Sequence, residues 1–269
     1  MEQRGSRIVW GLVALMAVAV GAGLWAMFHL DAQRSPPPRV EAPAATAPPA
    51  SDSSVTHPLP GPPPEVAMQA PAQASPQDLD AFRMDLRQLG DVGVLVRFVD
   101  PESLVRRVVS TVDNIDADEL PLRARAIAPV PGRFAVVREG DALAVDPANA
   151  GRYAPLIAWI DSIDARRAAE LYVKHYALFQ GEYRAQGGAG RYFNDRLVAA
   201  IDHLLATPQP GAQVALVQPK VLYRYADPSI ERLSAAQKAL YRLGRENGAH
   251  VRAKLRALRA EVTRRGVDR

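Results

Sequence analysis

The stretch LVRRVVSTVDNI, residues 104–115, decides the fold class. Leu104, Val105, Val108, Val109, Val112 and Ile115 return at the spacing that puts them on one side of a helix. Five of the six are β-branched and favour strands locally, yet the period is helical, and period outranks single-residue preference. Moving outward, Leu197, Val198, Ile201, Leu204 and Leu205 repeat the pattern. The run from Asp164 to Tyr183 carries Tyr172, Tyr176, Phe179 and Tyr183 at i, i+4, i+7 and i+11, one aromatic stripe.

Helix starts are marked by caps. Ser75-Pro76, Asp100-Pro101, Asp146-Pro147 and Asp227-Pro228 each place an oxygen-bearing residue before a proline at the first helical position. Ser234 with Gln237 forms a capping box. Such caps are structural, which argues against catalytic roles for Asp100, Asp146 and Asp227. Two stretches read as strands. Phe134–Val137 and Leu143–Val145 flank Glu139-Gly140-Asp141 as a hairpin, and Val214–Val217 with Val221–Tyr225 form a second short pair around Pro219. The expected fold is mainly α, a compact helical domain over residues 77–269 with a small β-hairpin element.

The N-terminal third has a different character. Ile8–Leu30 contains no charged residue, and 23 residues at about 1.5 Å each span roughly 34 Å, enough for a hydrocarbon core of about 30 Å. Trp10 and Trp25 lie toward its ends, where amphipathic rings prefer the headgroups. A cleaved signal peptide usually has a shorter apolar run and a small-x-small site, so an uncleaved single transmembrane helix over residues 8–30 is the reading. Arg4 and Arg7 precede the span and Asp31 follows it, which puts residues 1–7 in the cytoplasm and the rest in the periplasm. Residues 31–76 are rich in Pro and Ala, with PPP at 36–38 and 62–64, and read as a disordered linker.

Composition excludes several classes. Without cysteine there is no disulfide, Cys-ligated zinc, thiol chemistry or lipoprotein anchor. The net charge of +4 is local: residues 77–241 hold 20 basic and 21 acidic residues, whereas residues 242–269 hold nine and three. No phosphate loop, dinucleotide fingerprint, HExxH or GxSxG occurs. Gly187-Gly188-Ala189-Gly190 reads as a helix–helix connection.

Four groups of residues invite functional readings. Asn194, Asp195, Arg196, Asp202 and His203 share one helix, with Asp195 and Asp202 projecting within about 20° of each other. A carboxylate–histidine face of this kind binds a divalent metal or shuttles a proton, but no further ligands stand out by spacing, so no metal or cofactor is expected. The plainer reading is a salt-bridged face that fixes packing. Glu170 and Glu182 are the carboxylate pair that glycoside hydrolysis would want, against ordinary surface pairing with Arg166, Arg167 and Lys174. The aromatic stripe reads as core before it reads as a sugar platform, and His175 beside it as a packed histidine. In the last helix Val251, Leu255, Leu258 and Val262 form an apolar seam, and Arg252, Arg256 and Arg259 line one flank. Such a row suits phosphates or carboxylates of a partner.

STVDNIDADELP at 110–121, PVPGRFAVVREGD at 129–141 and DPANAGRYAPL at 146–156 form one group of segments. RYFNDRLVAAIDHLLATP at 191–208 and the run from Gln218 to Arg259 form another. Together, over about residues 104–259, they resemble a bacterial family known as domain of unknown function 3014. The resemblance implies an envelope protein with an N-terminal span and a Pro-rich linker, and it carries no activity or catalytic residue. Two functions remain in view. The first is a non-enzymatic interaction or scaffold domain at the bacterial inner membrane. It would hold an envelope protein or an anionic cell-wall polymer through the basic helix and exposed aromatics; periplasmic placement argues against nucleic acid. The second is a cell-wall glycan- or peptide-acting enzyme or binding module, with its site near Asp195, Asp202 and His203.

Overall fold

The apolar face of residues 104–115 is driven inward as the period requires, and Leu104, Val108 and Val109 are fully buried. The computed structural model describes residues 55–88, 103–121, 124–126, 130 and 132–264. Among these, the helices are α1 (Pro64–Ala67), α2 (Pro76–Gln88), α3 (Leu104–Asp113), α4 (Ala154–Asp161), α5 (Ala165–Lys174), α6 (Tyr176–Ala185), α7 (Phe193–Leu205), α8 (Pro228–Glu231), α9 (Ala235–Arg242) and α10 (Gly244–Val262). The strands are β1 (Val136–Glu139), β2 (Ala142–Val145), β3 (Ala215–Val217) and β4 (Arg224–Tyr225), and a 3-10 helix covers Pro147–Tyr153. The protein is thus a mainly helical compact domain with a small antiparallel sheet. The expected transmembrane helix at residues 8–30, the tail at 1–7 and the linker up to residue 54 lie outside the described residues. Among the described residues, no helix is long and apolar enough to cross a membrane.

The long C-terminal helix α10 is the spine. It packs against α4, α5, α7 and α9, and its seam of Val251, Leu255, Leu258 and Val262 is buried. The caps act locally as their chemistry dictates. Asp146 accepts from the Ala148 amide and Asp227 from the Ser229 amide. Ser75 Oγ accepts from the Asp78 amide, and Ser234 with Gln237 closes a full capping box. The segment at Asp100-Pro101 lies outside the described residues.

Three features depart from the sequence expectation. The stripe from Asp164 to Tyr183 is two helices, because the chain leaves helical geometry at His175 (φ −106°, ψ 20°). The four aromatics nevertheless converge in the core. Tyr172 packs edge-on to Tyr176 at 5.5 Å and to Phe179 at 5.2 Å, and Phe179 stacks on Phe193 at 6.2 Å. The two expected hairpins form a single four-stranded sheet of order β1-β2-β3-β4, because β2 also pairs with β3 through Leu143↔Leu216 and Ala144↔Ala215. One face of the sheet covers its own small core, with Tyr225 and Tyr241 edge to face at 5.5 Å.

Residues 55–76, which composition assigns to the linker, lie against the helical domain. Leu59, Ala67 and Ala70 are buried, and α2 follows at once, seating Phe82 and Leu86 in the main core. Phe82 meets the His175 ring at 5.4 Å and the Phe179 ring at 5.9 Å, both edge to face. Window composition averages over the few apolar side chains that find wells here, so it cannot register them.

Candidate functional site

The polar residues singled out on α7 all lie on one helix, but they face four different partners. Asn194 and Asp195 occupy its first turn, where unpaired amides and the helix dipole favour a carboxylate. Asp195 turns outward and accepts two backbone amides of the N-terminal segment: Thr56 N–H at 3.0 Å to Oδ2 and His57 N–H at 2.7 Å to Oδ1. The fully buried Asn194 donates through Nδ2 to the carbonyl of His57 at 2.8 Å and to that of Val262 at 3.1 Å. Its Oδ1 has no hydrogen-bond partner.

Arg196 points the other way, donating to the Asp113 carbonyl at 2.6 Å and to the Asp116 carboxylate at 3.0 Å. Two turns on, Asp202 accepts from Arg259 Nε at 2.5 Å through Oδ1 and from Nη2 at 2.9 Å through Oδ2. His203 Nε2 meets Ser234 Oγ at 2.9 Å, tying α7 to the cap of α9. Burial is the largest influence on the His203 pKa and lowers it from its usual 6.5. Among the described residues no three His, Asp or Glu side chains come together in a metal-binding group. Asp195, Asp202 and His203 are therefore brought onto one helix but not to one reacting point.

The arginine row of α10 is divided by the packing. Arg252 is 3% exposed and donates through Nη2 to the carbonyls of Thr207 and Pro208 at 3.2 and 3.1 Å. Arg259 is engaged by Asp202, and Arg256 stays exposed. The flank presents one solvent-facing guanidinium and two that staple α10 to its neighbours.

The remaining candidates resolve as follows. Glu170 on α5 pairs with Arg166 at 3.0 Å, and Glu182 on α6 accepts from Gln186 at 2.8 Å, so the two carboxylates belong to different helices. Tyr172, Tyr176, Phe179 and Tyr183 are buried, which removes them from the solvent surface. His175 lies beside Asp85 of α2, with Nε2 at 2.6 Å from Oδ2. Gly187 and Gly190 take left-handed φ of 100° and 74° in the α6–α7 connection. An open cleft of about 440 Å³ lies between α2, α3 and α6, lined by Phe82, Arg83, Arg106, Leu178 and Glu182 among others. No residue of the α7 cluster lines it.

Residues that the sequence did not single out share with Asn194 and Asp195 the holding of the N-terminal segment. Tyr192 Oη accepts from the Leu59 amide at 3.1 Å. Tyr192 is oriented by its contact with Tyr176, 5.3 Å between ring centroids. Further along, Arg184 donates to the Ala70 carbonyl. Gly181 lets the chain pass, since a Cβ there would lie 2.0 Å from the Pro71 carbonyl oxygen. A glycine in the interior of a helix was the one available signal.

No curated protein and no solved structure matches the chain. The family model described as "Protein of unknown function (DUF3014)" matches residues 104–259, a segment that holds α7, the whole sheet and α10 as far as Arg259. It leaves the segment over residues 55–88 outside the match. The chain belongs to that family.

Proposed function

We propose that this protein is a membrane-tethered bacterial envelope protein whose helical domain binds a partner and carries out no chemistry. The anchor is the uncharged run Ile8–Leu30, and the periplasmic side is favoured by Arg4 and Arg7 before it and Asp31 after it. One observation supports the binding role above others. Each titratable group of the α7 cluster is already engaged by the protein's own framework: Asp195 by two amides, Arg196 by Asp116, Asp202 by Arg259 and His203 by Ser234. A general acid or base must reach a substrate proton within hydrogen-bond distance, and these groups are instead spread along their helix, each held by a separate partner. Arg256, exposed on α10, and Val221, 77% exposed beyond β3, supply charged and apolar surface for a partner.

Because the chain lacks cysteine, one introduced thiol tests this reading. In cells with a permeabilised outer membrane, Arg256→Cys is expected to react with a membrane-impermeant maleimide. A photo-crosslinker on the same thiol is expected to give discrete protein adducts. Reaction that appears only once the inner membrane is opened as well would refute the periplasmic placement. Release of cell-wall fragments by the purified protein, lost in His203→Ala, would refute the non-enzymatic role.

A further inference from the structure

The clamp on α7 reads backbone rather than side chains. Over residues 56–59 it contacts the amides of Thr56, His57 and Leu59 and the carbonyl of His57, using Asp195, Tyr192 and Asn194. Thr56 and Pro58 are exposed, and Leu59 is the one buried side chain of the four. Recognition of this kind needs two successive free amides, a proline that keeps the chain extended, and an apolar residue to fill a well. Many sequences other than Thr56-His57-Pro58-Leu59 meet those terms.

The fit of the chain's own segment is also incomplete. Asn194 is fully buried, yet its Oδ1 receives no hydrogen bond, a cost that native proteins seldom leave standing. The resident segment lies outside the matched family region, whereas the clamp lies inside it.

We propose that Tyr192, Asn194 and Asp195 form a peptide-binding groove for extended, proline-containing segments of a partner protein, occupied in cis by residues 55–59. This deepens the reading of the domain as an interaction module and rests on it. The ligand class is a chain with two free backbone amides, then proline, then a medium-sized apolar residue. The cis strap acts as an intramolecular competitor, since a tethered ligand works at an effective concentration in the millimolar range. Only a partner that outbids that concentration, or a wild-type strap that has been pulled away, opens the groove.

The full chain tests this in detergent. Thr56→Pro with His57→Pro removes both donors to Asp195 and leaves the groove intact, and Leu59→Asp releases the strap by a second route. A fluorescent peptide of the sequence Val55–Gly61 is then titrated and read by anisotropy. It is expected to bind either released variant at least about tenfold more tightly than wild type, where the strap competes. Adding Asp195→Ala to the released chain is expected to abolish that binding. No binding to a released variant that keeps the wild-type circular dichroism overturns the proposal, as does binding that survives Asp195→Ala. Loss of the fold in both released variants overturns it too, because an exchangeable strap must leave a folded domain behind. Crosslinks at position 256 that persist alongside a negative peptide result would show that the interaction role stands and its site lies elsewhere.

Discussion

Gly181 shows how one missing carbon admits a neighbouring chain. It sits in the interior of α6, where glycine ordinarily costs about 1 kcal/mol relative to alanine. At an exposed helical site Gly181→Ala would therefore raise stability. Here the added methyl would stand 2.0 Å from the carbonyl oxygen of Pro71, a backbone atom that cannot rotate aside. The substitution is expected to lower stability by roughly 1–3 kcal/mol, as overpacking does, and to loosen residues 70–72. Thermal melts and amide exchange would check both effects, and a raised melting temperature would remove the close approach from the account.

At the scale of an element, α10 is both spine and surface, and its three arginines separate these roles. Arg252→Ala would strip two carbonyls, those of Thr207 and Pro208, of their buried donor. A cost of about 2–4 kcal/mol is expected. Arg259 and Asp202 have side chains 37% and 47% exposed, so Arg259→Ala should cost no more than about 1 kcal/mol despite its two short contacts. Arg256 is exposed and makes no comparable contact among the described residues, and its replacement should stay within about 0.5 kcal/mol. Denaturant unfolding of the three variants would give that order. Equal losses would mean that the helix responds as one charged face, as its i, i+4, i+7 pattern suggests.

For the molecule as a whole, the question is how firmly the segment before the family region is fastened. Its second anchor is Asp85 on α2, which lies 2.6 Å from both Lys174 Nζ and His175 Nε2. The hydrogen bond from Lys174, then that from His175, holds the Asp85 carboxyl below its ordinary pKa of 3.8. A depressed carboxylate contributes stability that is fully present above the unfolded pKa and fades as pH falls through the folded one. Asp85→Asn should accordingly be less stable than wild type near neutral pH, and the gap should close as pH falls below 3.8. Melting temperatures across that range would show it. A gap that is constant with pH would mean that the ion pair adds nothing to the docking of α2.

The sequence by itself determined the helical class, the apolar seams of α3, α7 and α10, and the caps at Asp146, Asp227 and Ser234, because periodicity and capping are local chemistry. It also placed Asn194, Asp195, Arg196, Asp202 and His203 on one helix, since their order along the chain settles that. Only the tertiary structure decided what each of them faces, because a partner more than a hundred residues away, such as Thr56 for Asp195, leaves no trace in local spacing. The division of the arginine row has the same origin. Arg252 and Arg256 are equivalent in sequence, and differ because α7 and its following loop cover one and leave the other to solvent. The strap is the extreme case: a segment poor in apolar residues orders when a surface already folded supplies its wells and its hydrogen-bond partners.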